Sequence, residues 1–185
     1  MNTFFNKEIN FEFSKEIKYQ MDIPFLGLNL NDIKVVILGE SPCKDSNGLA
    51  FSTSGNLGKT CKNIFLEIKN NTGIQNTNGD LTSWKYQGIL LINAIPVGNS
   101  EILKFQNLTR KIITELSKQC EPIIFVMWGD KIQKFNKFID KKHFILTSSH
   151  PNPYYSNVSF FGNQHFSRIN EILEKQGKTQ INWET

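Results

Sequence analysis

The stretch KVVILGE (34–40) decides the fold. Four apolar residues in a row, rich in β-branching and closed by Gly39, do not alternate with polar ones. A strand buried on both faces has this pattern, and such strands belong to parallel sheets. Next to it, SPCKDSNG (41–48) is turn chemistry that ends the strand. Three similar runs follow: GILLINAIP (88–96), PIIFVMWG (122–129) and HFILTSSHP (143–151). Helical spacing lies between and after them. TCKNIFLEIK (60–69) puts Ile64, Phe65 and Ile68 on one side, and NLTRKIITELSKQC (107–120) is amphipathic. KIQKFNKFI (131–139) reads as a third helix, and NQHFSRINEILEKQ (163–176) as a last one ended by Gly177. Strands alternating with helices predict an α/β fold: a three-layer α/β/α architecture with a central four-stranded parallel sheet. The first 30 residues read as a helical or irregular lead-in, and NNTGIQNTNGD (70–80) as a mobile polar loop. There is no repeat or low-complexity block, and 185 residues suit a single domain over 1–185.

Composition narrows the function classes. Hydrophobic residues make up 39% and charged residues 21%, as in ordinary globular proteins. The 15 Phe predict an aromatic-rich core. The net charge of +4 permits a nucleic-acid partner without demanding one. Cys43, Cys61 and Cys120 are dispersed and odd in number, against a disulfide framework and for a reducing compartment. They fall short of the four thiolates of an ordinary iron–sulfur cluster, and no Cys-x-x-Cys zinc pair occurs. No apolar run reaches the roughly 18 residues of a membrane span, and MNTFFNKEINFEF (1–13) lacks the order of a signal peptide. The chain thus reads as intracellular: cytoplasmic, or nuclear in a eukaryotic or viral-host setting.

In parallel α/β sheets, sites lie just past the carboxyl ends of strands. Four segments occupy that position here: GESPC, NAIP, WGD and SSHPNP. Together with their surroundings they resemble family-1 uracil-DNA glycosylases, in order, from about Lys34 to Glu184. HPNPYYSNVSFFGNQHFSRINEILEKQGKTQINW is similar to the family's HPSPLS loop and the helix after it. GDLTSWKYQGILLINA is similar to its central strand, and VILGESPCKDSNGLAFS to the segment carrying its GQDPYH motif.

The resemblance implies excision of uracil from DNA by hydrolysis of the N-glycosidic bond. Breaking that bond leaves a sugar oxocarbenium ion and a base anion, after the base has been flipped into a pocket. By resemblance, Phe51 is the stacking face, Asn93 the amide that reads the pyrimidine edge, and His150 the donor to the base's O2. A donor aimed at developing charge contributes about 3 kcal/mol. Taken singly, each has an ordinary reading: a core Phe, a turn Asn, a solvated His. Their joint order at strand ends favours function.

The motif departs from the family at catalytic positions. GQDPYH reads here Gly39-Glu40-Ser41-Pro42-Cys43-Lys44. Ser41 replaces the water-activating Asp and is a poor base at neutral pH. With Glu40 the segment resembles the GEAPG motif of thermophile-type uracil glycosylases; Glu40 is a candidate to orient water or offset the cation, and its ordinary reading is a structural Glu on backbone amides. Cys43 stands where a Tyr excludes thymine and reads as pocket lining. Lys44 replaces a His. SGNLGK (54–59) replaces a Pro-rich loop and brings Lys59 to the DNA side. Tyr154 takes the place of the wedge Leu, and Ser148, Ser149 and Asn152 are phosphate candidates.

The resemblance implies DNA as partner, single- or double-stranded, a DNA-mimicking glycosylase inhibitor protein as a second, a monomer, and no metal or cofactor. Two rival readings stand beside uracil excision: a preference for C5-substituted pyrimidines, and a catalytically impaired DNA-binding protein in a replication or repair complex.

Overall fold

The computed structural model describes residues 23–43, 45–95, 102–152 and 159–185. The chain opens on two 3-10 turns, Ile23–Phe25 and Leu30–Asp32. Strand β1 (Val35–Gly39) follows, then helix α1 (Lys59–Thr72), a four-residue helix α2 (Thr82–Lys85) and strand β2 (Ile89–Asn93). Helix α3 (Ile102–Gln119) leads to β3 (Ile124–Trp128). Then come a single helical turn α4 (Asp130–Gln133), a 3-10 turn (Asn136–Phe138), β4 (Phe144–Ser148) and helix α5 (His165–Lys175).

All strand pairs are parallel, in the order β2-β1-β3-β4. Side chains alternate between the two faces of the sheet and seed two cores. On one face Val35, Ile37, Ile89, Leu91, Ile124 and Val126 pack against α1 and α5 and against Trp84 and Trp183. On the other, Val36, Leu38, Leu90, Ile92, Phe125 and Met127 pack against α3 and the opening 3-10 turns. The predicted three layers and four parallel strands are therefore present. Among the described residues, no helix is long and apolar enough to cross a membrane.

The differences from expectation are local. The helix expected over 131–139 breaks after one turn: Phe135, Asn136 and Phe138 are weak helix formers, and the 3-10 turn lets Phe135 enter the core. Helix α3 starts five residues earlier than its apolar spacing indicated. Helix α2 was not expected. Its signal is Asp80, whose carboxylate accepts from both the Thr82 N–H and the Thr82 hydroxyl. The loop expected to be mobile is tied down: Asn76 bonds Trp183 O at 2.7 Å, and Gly79 O accepts from Thr53 N–H at 2.9 Å.

Candidate active site

Because the strands are parallel, Gly39, Asn93, Trp128 and Ser148 end along one edge, with Gly39 in register with Asn93 and Trp128 with Ser148. The β1–β2 pairing continues beyond the strands. Ala94 N–H donates to Gly39 O at 2.8 Å and Ile95 N–H to Glu40 O at 2.9 Å, while Thr109 of α3 donates to Ala94 O. Glu40 and Asn93 thus leave a rigid backbone.

Gly39 is the point of closest approach. A Cβ there would lie 2.6 Å from Asn93 Oδ1, 3.1 Å from Ala50 Cβ and 3.5 Å from the Phe51 ring, so only glycine lets them close over the end of β1. Asn93 is 7% exposed, and its Oδ1 is buried with no hydrogen-bond partner. An unpaired buried acceptor costs about 1–3 kcal/mol. A ligand N–H can satisfy it.

Phe51 is half-buried and holds φ +63°, a left-handed conformation that strains a bulky residue. Its ring lies 5.3 Å from that of Trp128 and 6.3 Å from that of His150, by centroids. Buried Ser52 fastens the turn, accepting from Leu81 N–H and donating to Gly79 O. Trp128 backs the Phe51 ring. Its Nε1–H donates to Nδ1 of buried His165 at 3.0 Å, and Phe160 meets its ring edge-on.

His150 follows β4 in a turn whose geometry fixes its tautomer. Asn152 N–H donates to His150 Nδ1 at 3.0 Å, so the neutral ring carries its proton on Nε2. Burial holds His150 below the usual imidazole pKa; the charge of Glu40 opposes this and that of Lys131 reinforces it. Gly129, at φ +101°, makes room: a Cβ there would sit 3.2 Å from His150 Cβ. From α1, Asn63 Nδ2 donates to Pro151 O at 2.6 Å. Glu40 reaches the same region, with Oε1 on Lys131 Nζ at 2.5 Å.

The remaining candidates are peripheral. Ser41 and Cys43 are exposed, the Cys43 thiol donating to Ser52 O at 3.4 Å. Lys59 is exposed as the first residue of α1. Ser148 is spent partly on structure, its carbonyl accepting from Gly129 N–H and Gln133 Nε2. Ser149 was expected at a phosphate, yet its hydroxyl is buried with no hydrogen-bond partner. The Asn152 amide N–H is used by His150. Lys44 and Tyr154 lie outside the described residues.

Sequence reasoning passed over Asn63, Glu67, Trp128, Lys131 and His165. Glu67 is 1% exposed, and its carboxylate accepts from Gly162 N–H at 2.8 Å and Gln164 N–H at 3.1 Å, holding the loop that leads into α5. One signal was available: a Glu on the apolar side of α1, beside Ile64 and Ile68.

The uracil DNA glycosylase superfamily model matches residues 27–174. A uracil-DNA glycosylase of Mycoplasmopsis pulmonis is 46% identical over 168 residues, covering 84% of this chain and 76% of that one. One from Bacillus subtilis is 40% identical, covering 83% and 74%. The crystal structure of mimivirus uracil-DNA glycosylase superposes with a TM-score of 0.78 at 28% identity, over 90% of this chain and 73% of that one. A tyrosine-to-phenylalanine variant of mimivirus UNG in complex with UGI gives 0.79 at 26% identity, over 99% and 79%. With Gly39, Phe51, Asn93 and His150 gathered at the strand ends, and a match over most of its length, the chain belongs to the uracil DNA glycosylase superfamily.

Proposed function

We propose that this protein excises uracil from DNA in base-excision repair, flipping the base into the pocket and hydrolysing its N-glycosidic bond. The observation that carries the reading is the buried, unpaired Oδ1 of Asn93 beside the half-buried ring of Phe51. A pyrimidine stacked on Phe51 presents N3–H to Asn93 Oδ1 and O4 to its amide NH2. That pattern separates uracil from cytosine, whose N3 is an acceptor.

As the C1′–N1 bond breaks, its electron pair passes to the base and charge develops at O2. His150, neutral and protonated on Nε2, supplies the donor there. A water then bonds to C1′ and gives up a proton. Ser41 offers no charge for this step, so the reading assigns Glu40 to orient the water and offset the cation. Cys43, smaller than a Tyr, leaves space beside C5. Lys59, Ser148 and Asn152 are assigned to the phosphate backbone, and Tyr154 to the space left by the flipped base. A DNA-mimicking inhibitor protein such as the UGI bound by mimivirus UNG is a second partner of the same surface.

The test is release of base from oligonucleotides carrying uracil, thymine or a 5-substituted uracil, read as alkali-cleaved strand on a gel. Cleavage at uracil is expected, and DNA binding with no base released would establish the non-catalytic reading instead.

A further inference from the structure

The motif's Glu40 is held by a residue that no part of the motif contains. Lys131 stands in the first turn of α4, two residues after Gly129 at the end of β3, and its ammonium meets Glu40 Oε1 at 2.5 Å. The pair lies at the rim, with the Lys131 side chain 68% exposed and that of Glu40 26%. Exposed pairs of this kind contribute little to stability. Its effect here is on placement, because Glu40 leaves a backbone already locked to Ile95. We propose that Lys131 is a positioning residue that holds the Glu40 carboxylate in place beside the strand ends and partly offsets its charge as felt at His150. The inference rests on the catalytic reading of Glu40 above. It is supported by the opposite influences of the two on His150: the charge of Glu40 favours the imidazolium and that of Lys131, the weaker of the two, disfavours it. Glu40 and Lys131 are both charged groups that act on His150, in opposite directions.

The experiment measures single-turnover uracil release and DNA affinity across pH for wild type, Lys131→Met, Lys131→Arg, Glu40→Gln and the Glu40→Gln/Lys131→Met double variant. Lys131→Met is expected to slow release about tenfold with affinity changed less than threefold, and to move the acid limb of the profile upward, since His150 then faces an unneutralised carboxylate. Lys131→Arg should recover most of the rate. In the Glu40→Gln background the Met substitution should have no further effect. A full Lys131→Met effect in that background, or weaker DNA binding with an unmoved profile, overturns the proposal and makes Lys131 a phosphate contact. Wild-type release by Glu40→Gln overturns the Glu40 reading itself.

Discussion

Asn63 of α1 donates its side-chain amide to the carbonyl of Pro151, the residue after His150, across 88 positions of sequence at 2.6 Å. The bond ties the His-Pro turn to the helix on the first core face. Removing it leaves the Pro151 carbonyl unsupported and lets the imidazole tilt. Asn63→Ala is expected to lower kcat by about 5- to 30-fold, the equivalent of 1–2 kcal/mol, with KM little changed. Steady-state kinetics on a uracil oligonucleotide check this; an equal rise in KM would place Asn63 in DNA binding.

At the reacting base, His150→Ala should cost about 2–4 kcal/mol of transition-state stabilisation. Asn93→Asp should blur uracil against cytosine, because an acceptor-only carboxylate replaces a group that both donates and accepts. The kcat/KM ratio for the two bases measures it.

The pH behaviour follows from burial. The His150 pKa lies below 6.5, so its neutral form persists as pH falls through that value, and activity is expected to hold there and decline only in more acid solution. A pH–rate profile breaking at or above 6.5 would contradict the assignment.

His165 gives a separate stability signal. Burial lowers its pKa to about 4, against the hydrogen bond to the Thr147 backbone. A depressed imidazole means the unfolded chain takes up the proton first. Stability is therefore full above pH 6.5 and is lost as pH falls from 6.5 to about 4, by about 3 kcal/mol in all. Urea unfolding at stepped pH, repeated with His165→Gln, isolates this contribution.

Cys43, exposed at the end of the β1 turn, is the proposed determinant of specificity at C5. A thiol is much smaller than a phenol ring, so on that reading Cys43→Tyr should raise discrimination against 5-substituted pyrimidines by about 1–3 kcal/mol. Competition between uracil and 5-substituted uracil in one duplex reads the ratio directly.

The strands were legible because each is a short apolar run closed by turn residues, and the run in KVVILGE needs no tertiary information to be recognised. Asn93 and His150 were named through the family resemblance and lie at or just past strand ends, where parallel sheets gather their sites, whereas Phe51, well beyond the end of β1, had only the resemblance to mark it. What stayed hidden were long-range polar contacts. Asn63 to Pro151 and Glu67 to Gly162 each join positions about 90 residues apart, and nothing in the local pattern around either marks the partner. The 131–139 segment misled for a related reason: its apolar spacing is helical, but the chain must turn at Asn136 to reach β4, and packing overrode the period.

The left-handed backbone at Phe51 has a consequence for how this protein responds to selection. A residue with a Cβ is strained there by about 1–2 kcal/mol relative to glycine, while the Phe51 ring recovers stability by packing against Trp128 and the first core. A library enriched for heat resistance alone has no need of an aromatic ring at position 51 and should accept any residue that balances the left-handed backbone against the core packing. One enriched for repair of uracil-bearing plasmids should keep the aromatic ring and recover its stability at distant sites, such as exposed helix positions. On the proposed stacking role of Phe51, thermal hardiness and base recognition therefore make different demands on a single codon.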